Sequence, residues 1–288
     1  MALISNEGEP VSRWWISKAI DIIKTDREIF ASSNMRRARL ELIAGKNRLA
    51  TIKGWMLAAE IIKNSRNSKE HELTDFGLAI KNYDSTLEKS STWWAFHLAT
   101  CFSSISEPYG SFFLGLDALS KDWISSKQLI EKVQNSLKQD NGEPYKYSTL
   151  ESLLSSIRRM FVEDRPLEYL GLIEIRTNRE DRIAIRLGSP KLTDEIILHA
   201  LAMIRIHRYN SRSTVEFPEL IKKGLGHFLC CSSEQLRQQL RRMKQSNQWQ
   251  AYFDFNEAVN NDSVSFTELC MPDKTLRLLL QEGQDTWL

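Results

Sequence analysis

The chain of 288 residues has only four cysteines, Cys101, Cys230, Cys231 and Cys270, and no two of them form a C-x-x-C pair. That leaves no cysteine framework for a structural zinc site and makes buried, reduced thiols the plain expectation, with His227 beside Cys230 and Cys231 the one hint of thiol chemistry. Long apolar runs are missing too: none approaches the roughly 20 residues that span a bilayer. The first ten residues, MALISNEGEP, carry neither the basic start nor the apolar centre of a secretory signal. A cytoplasmic protein without a membrane partner is expected. Charge of one sign is scarce, since 39 Lys and Arg against 37 Asp and Glu leave +2, so no whole-molecule field announces a polyanion. No G-x-x-x-x-G-K-[ST], G-x-G-x-x-G, G-x-S-x-G or H-E-x-x-H occurs. Glu163, Asp164, Glu168, Glu180 and Asp181 are the acidic loop residues available to a metal, and solvated surface or helix caps are the expected role for such groups.

What is present is ordinary globular composition, 42% hydrophobic and 26% charged, over a length that suits about two compact domains. Charge is uneven along it: residues 1–64 hold 11 Lys and Arg against 7 Asp and Glu, a surplus of four concentrated in RRAR and GKNR.

The order of elements reads as three similar pieces. VSRWWISKAIDIIK, with Ser12 as N-cap, NMRRARLELIA and AGKNRLATIKGWMLAAEIIK are three helices with a glycine in the tight turn before the third. A polar loop between short extended pieces follows. STWWAFHLATCFSS is a strongly apolar helix, with His97 expected in a core or interface, and SEPYGSF reads as a loop. SSKQLIEKVQNSL, capped by Ser125 or Ser126, and STLESLLSSIRRMF, with Ser148 and Glu151 as a capping box, precede a hairpin built on Ile173, Ile175, Ile183, Ile185 and Leu187. TDEIILHALAMIRIHRY, TVEFPELIKKGL and SSEQLRQQLRRMKQSN are followed by candidate strands in WQAYFDF and SVSFTEL. IRRM and LRRM end corresponding helices. The expectation is a mainly α fold with small β-hairpins, made of tandem winged helix-turn-helix units over 1–120, 121–190 and 191–288.

Helix-turn-helix order points to nucleic acid, and the candidate contacts are Arg36, Arg37, Lys46, Asn47, Arg48, Thr51 and Lys53 in the first unit, Arg158 and Arg159 in the second, and Arg241 and Arg242 in the third. In the third helix Leu49, Ile52, Trp55, Met56 and Ala59 form an apolar side. Lys46, Asn47, Ala50, Gly54 and Ala58 form a small opposite face, which either approaches a groove or admits another helix. The same elements without chemistry also fit a winged-helix transcription regulator or a protein-interaction scaffold.

RWWISKAID, GKNRLATIKGWMLAAEII and LTDFGLAI together resemble the bacterial DUF4007 family, through Gly45, Lys46, Asn47, Ile52, Trp55, Ile61, Ile62, Leu73, Thr74 and Gly77. The likeness runs more loosely through STWWAFHLA and STLESLLSSIRRMF to EYLGLIEI. Glu60 stands where the family usually has glycine, and an F-S-G-H-E-T-F opening is absent. The resemblance implies an SspB-type component of single-stranded DNA phosphorothioation, a modification coupled to anti-phage defence. It further implies DNA binding, an association with DNA nicking that would bring in a divalent metal such as Mg²⁺, and partners that include a cysteine desulfurase, an ATPase and a reductase-like ATP pyrophosphatase. No catalytic residue follows from it.

Overall fold

The structure is a computed structural model that describes residues 10, 12–67, 69–138, 142–162, 165–177, 183–258 and 262–282. It is mainly helical with small antiparallel sheets. The chain begins with α1 (Arg13–Thr25), α2 (Met35–Glu41) and α3 (Lys46–Ala58), then the paired strands β1 (Ile62–Asn64) and β2 (His71–Leu73). α4 (Asp75–Tyr83), α5 (Ser90–Phe102) and α6 (Glu107–Leu114) follow. Next come β3 (Ile124–Ser125), α7 (Ser126–Ser136), α8 (Tyr147–Arg159), β4 (Ile173–Thr177) and β5 (Ile183–Leu187). The last part holds α9 (Asp194–Tyr209), β6 (Thr214–Glu216), α10 (Phe217–Lys222), α11 (Leu225–Phe228), α12 (Ser233–Lys244) and α13 (Asn247–Gln250). It closes with β7 (Phe253–Asn256), β8 (Ser263–Phe266) and α14 (Pro272–Glu282).

α5 is apolar on every side, and a helix of that kind must be enclosed. Every residue from Ser91 to Phe102 is buried, with α6, α9 and α14 packed around it. His97 lies in this core. Its Nδ1 is 2.9 Å from the Tyr109 hydroxyl and its Nε2 2.8 Å from the Phe228 carbonyl. A carbonyl can only accept, so Nε2 carries the proton and the tyrosine hydroxyl donates to Nδ1. Burial lowers the imidazole pKa to about 4, which keeps the ring neutral. The core histidine expected in α5 is there.

The second and third segments repeat one arrangement. A short strand, helices and a hairpin form a three-stranded sheet in which the first strand pairs with the last, in the orders β3-β5-β4 and β6-β8-β7. Each carries a capping box, Ser125 with Gln128 on α7 and Ser232 with Gln235 on α12. Arg158–Arg159 and Arg241–Arg242 sit in the last turns of α8 and α12. One buried apolar cluster extends from α1 to α14, and α14 returns to pack on α4 and α5.

Three local expectations are corrected. SEPYGSF is not a loop: Glu107–Leu114 forms α6, because Pro108 is accommodated in the first turn, where its missing N–H costs nothing, and Tyr109, Phe112 and Phe113 are buried. Ser148 and Glu151 make no capping box, since α8 begins two residues earlier than a Ser148 cap requires, with Lys146 as N-cap. Ala58 is buried, so the small face of α3 is open to solvent at Lys46, Asn47 and Ala50 but half-buried at Gly54 and closed at Ala58, near the turn 104–106.

Candidate nucleic-acid interface

The α2–turn–α3 segment is anchored from behind and open in front. Ala38, Leu42 and Ala44 are buried, while Ile16, Ile20 and Ile23 of α1 join Ile52, Trp55 and Met56 of α3 in the same core. Trp15 fixes the turn: its Nε1 donates to the Leu42 carbonyl at 3.2 Å, and the Arg48 guanidinium lies 4.6 Å from its ring centroid. The turn does not need its glycine for conformation. Gly45 is an extended N-cap of α3, with φ −68°, and it makes no side-chain cap. Ile43 is the residue with positive φ, 48°, and its side chain is 73% exposed. A β-branched residue there is strained.

In front of this anchor Arg36, Arg39 and Lys46 are exposed and form no ion pair with any described residue. Arg36 and Arg39, with Leu40, Ile43, Ala44 and Gly45, surround an open depression of about 430 Å³. Lys46 is the first residue of α3, the end of the helix at which the helix dipole adds positive potential. Sequence reasoning does not single out Arg39. RRAR contains it, but only the fold shows that α2 presents it beside Arg36.

The other candidates are placed differently. Arg37 is tied to Asp26 and lies 3.6 Å from Glu41. Asn47 is exposed beside Lys46. Thr51 is buried and its hydroxyl donates to the Asn47 carbonyl at 3.1 Å, so it is not offered to a groove. Lys53 is half-buried, and burial lowers its pKa. Arg158 is also half-buried and depressed by that burial and by Arg159, which is exposed. In α12 the charges are consumed: Arg241 pairs with Glu257 at 2.6 Å and Arg242 with Asp194. Arg237 meets Asp262 at 2.9 Å, and Lys244 meets Asp254 at 3.1 Å. Of the eleven candidates the fold thus leaves Arg36, Lys46, Asn47 and Arg159 exposed, stacks Arg48 on Trp15, ties Arg37 to an acid, buries Thr51, half-buries Lys53 and Arg158, and pairs Arg241 and Arg242 with carboxylates.

Glu163, Asp164, Glu180 and Asp181 lie outside the described residues, and Glu168 is exposed in a short turn. Among the described residues no group of three His, Cys, Asp or Glu could hold a metal ion. All four cysteines are buried, and burial pushes Cys231 and Cys270 up to about 12, so they act as core thiols and not as thiolates. No helix of the described residues is long and apolar enough to cross a membrane.

The model of the protein family of unknown function DUF4007 matches residues 9–280. The chain belongs to the DUF4007 family. Its L-T-x-x-G motif has a local physical role: the Thr74 hydroxyl accepts from Gly77 N–H at 3.2 Å to cap α4, and a Cβ on Gly77 would stand 2.3 Å from the Ile61 carbonyl oxygen. The fold is shared with the magnesium-ion-bound crystal structure of SspB, at a TM-score of 0.75 and 17% identity over 96% of this chain and 85% of that one. It is likewise shared with a second SspB crystal structure, at a TM-score of 0.72 and 15% identity over 96% and 86%. No curated protein sequence matches the chain.

Proposed function

We propose that this chain is the DNA-binding component of a DNA phosphorothioate-modification system of the anti-phage type, working with a cysteine desulfurase, an ATPase and a reductase-like ATP pyrophosphatase. The segments 1–120, 121–190 and 191–288 act as winged helix-turn-helix units, and the first makes the DNA contact. The observation that carries this is the exposed group Arg36, Arg39 and Lys46 around the α2–α3 turn, which forms no ion pair among the described residues, in a molecule whose α12 arginines are all held by acids. Family membership and the SspB-like fold support the phosphorothioation setting.

Contacts of this type go to phosphates and fix position without reading sequence. The Lys46 end of α3 approaches a phosphate, and Asn47 and Arg48 lie next to it. The SspB of one similar structure is magnesium-ion-bound, and among the described residues of this chain no group of three His, Cys, Asp or Glu could hold a metal ion. Fluorescence anisotropy with a labelled duplex at salt concentrations from about 50 to about 200 mM tests the proposal. Binding that weakens steeply with salt is expected. No binding, or binding indifferent to salt, would favour the protein-scaffold reading instead. Conversion of supercoiled plasmid to open circles only with Mg²⁺ would add nicking to the activity.

A further inference from the structure

A cleft of about 340 Å³ lies between the N-terminal segment and the helices α9 and α14, within the size range of small-molecule sites. Its wall is apolar at Phe76, Ala99, Met203 and Leu276. Three carboxylates line it, Glu60, Asp75 and Asp273, and among the described residues no Lys or Arg does. We infer that this cleft binds a small organic cation, a protonated amine carried on an apolar body.

The titratable side chains that line the cleft are acceptors. His199 is 3% exposed, and its Nδ1 is 2.9 Å from Thr275 Oγ1. The Thr275 hydroxyl gives its own proton to the Met271 carbonyl at 3.1 Å, so it accepts from His199 and Nδ1 carries the ring proton. Nε2 is then a lone pair with no partner among the described residues, on a residue that lines the cleft. Burial depresses this imidazole to about 3, which keeps it neutral and accepting. The Thr74 hydroxyl is already spent, donating to the Glu60 carbonyl and accepting from Gly77. A ligand must therefore bring the donors, and an ammonium group brings three together with the complementary charge.

Glu60 is the residue whose presence needs a reason. Its φ is 56°, the left-handed region where glycine is the easy choice. It also follows the last turn of α3, the end of a helix at which a carboxylate is disfavoured. Asp75 and Asp273 by contrast lie in the first turns of α4 and α14, where the dipole favours them. His207 Nε2 is 3.5 Å from Glu60, but burial and Arg208 lower the His207 pKa, so at neutral pH it supplies no charge. Burial raises the pKa of Glu60, and a bound ammonium would hold it ionised. A residue that is costly in both backbone and charge here gains its compensation from a cation in the cleft.

The test uses the full chain and three probes of one shape, 4-phenylbutylamine, 4-phenylbutanol and 4-phenylbutyrate, followed by calorimetry and by the methyl signals of Met203 and Met271. Saturable one-to-one binding of the amine that moves both methyl signals is expected. The alcohol should bind at least tenfold more weakly and the carboxylate not at all. Glu60→Gly should weaken the amine at least tenfold while the melting temperature holds or rises, since glycine suits that backbone. Glu60→Gln, of the same size, should weaken it similarly. Equal binding of amine and alcohol, unchanged binding in Glu60→Gly, or no saturable binding of the amine would each overturn the assignment.

Discussion

Nη2 of Arg241 stands 2.6 Å from Oε1 of Glu257, so this guanidinium already has a carboxylate beside it. Arg241 and Glu257 are joined across α12 and the end of the β7 region, while Arg242 beside it is held by Asp194 at the start of α9. A phosphate would have to displace these carboxylates. At Arg36, Arg39 and Lys46 there is no described carboxylate to displace.

The first prediction compares the two sets. Arg36→Ala, Arg39→Ala and Lys46→Ala together should weaken DNA binding at least tenfold. They should also flatten the plot of log K against log salt by about 0.9 for each phosphate that the variant no longer neutralises. Arg241→Ala with Arg242→Ala should leave slope and affinity close to those of the parent. The reverse ranking in anisotropy titrations would move the interface to α12.

Ile43 carries backbone strain that glycine would relieve. With φ at 48° and its side chain 73% exposed, it loses almost no packing on truncation. Ile43→Gly should therefore raise stability by about 1 kcal/mol, the usual cost of a left-handed side chain. Urea unfolding at neutral pH reads this directly, and a drop in the midpoint would mean that the side chain packs in a way its exposure does not reveal.

Gly77 has the opposite sensitivity. A Cβ there would press on the Ile61 carbonyl at 2.3 Å, a backbone atom that cannot swing away. Gly77→Ala should cost about 1–3 kcal/mol, as overpacking does. Thr74→Ala, which removes the α4 cap, should cost about 1 kcal/mol. Thermal melts of the two variants should both fall, and an unchanged Gly77→Ala melt would show that β1 and α4 separate easily.

Acid should destabilise the fold through its buried histidines. His97 and His199 are lowered from 6.5 to about 4 and about 3, so between those values and pH 6.5 the unfolded chain binds protons that the folded chain refuses. Stability is then fully present above pH 6.5 and falls as the pH drops, by up to about 1.4 kcal/mol per pH unit for each histidine. Urea titrations at about pH 7, 6 and 5 check the slope. His97→Gln should flatten it even if that variant is less stable at neutral pH, and an identical slope would exclude His97 as a source.

Much of the architecture is legible because its causes are local. The alternation of Ile173, Ile175, Ile183, Ile185 and Leu187 yields β4 and β5, and Ser125 and Ser232 cap α7 and α12 with their own third residues. The all-round apolar character of α5 requires its enclosure wherever the rest of the chain goes. The α6 segment is not legible in the same way. SEPYGSF has turn-forming residues, whereas the burial of Tyr109, Phe112 and Phe113 against distant helices sets its conformation.

By itself the sequence determined the mainly helical fold, the hairpins, the family and the set of basic residues from which an interface could be drawn. Only the tertiary structure decided which of them are available, because a charge is neutralised by what is near in space. Asp194 lies 48 residues from the Arg242 it holds, and Asp262 lies 25 residues from Arg237. The same holds for the cleft: Glu60, Asp75, His199 and Asp273 come from separate parts of the chain, and they share one pocket because α14 folds back onto α4, α5 and α9. Local pattern sets elements through short-range hydrogen bonds and side-chain periodicity, whereas electrostatic pairing and cavities depend on distances that only packing of the whole chain defines.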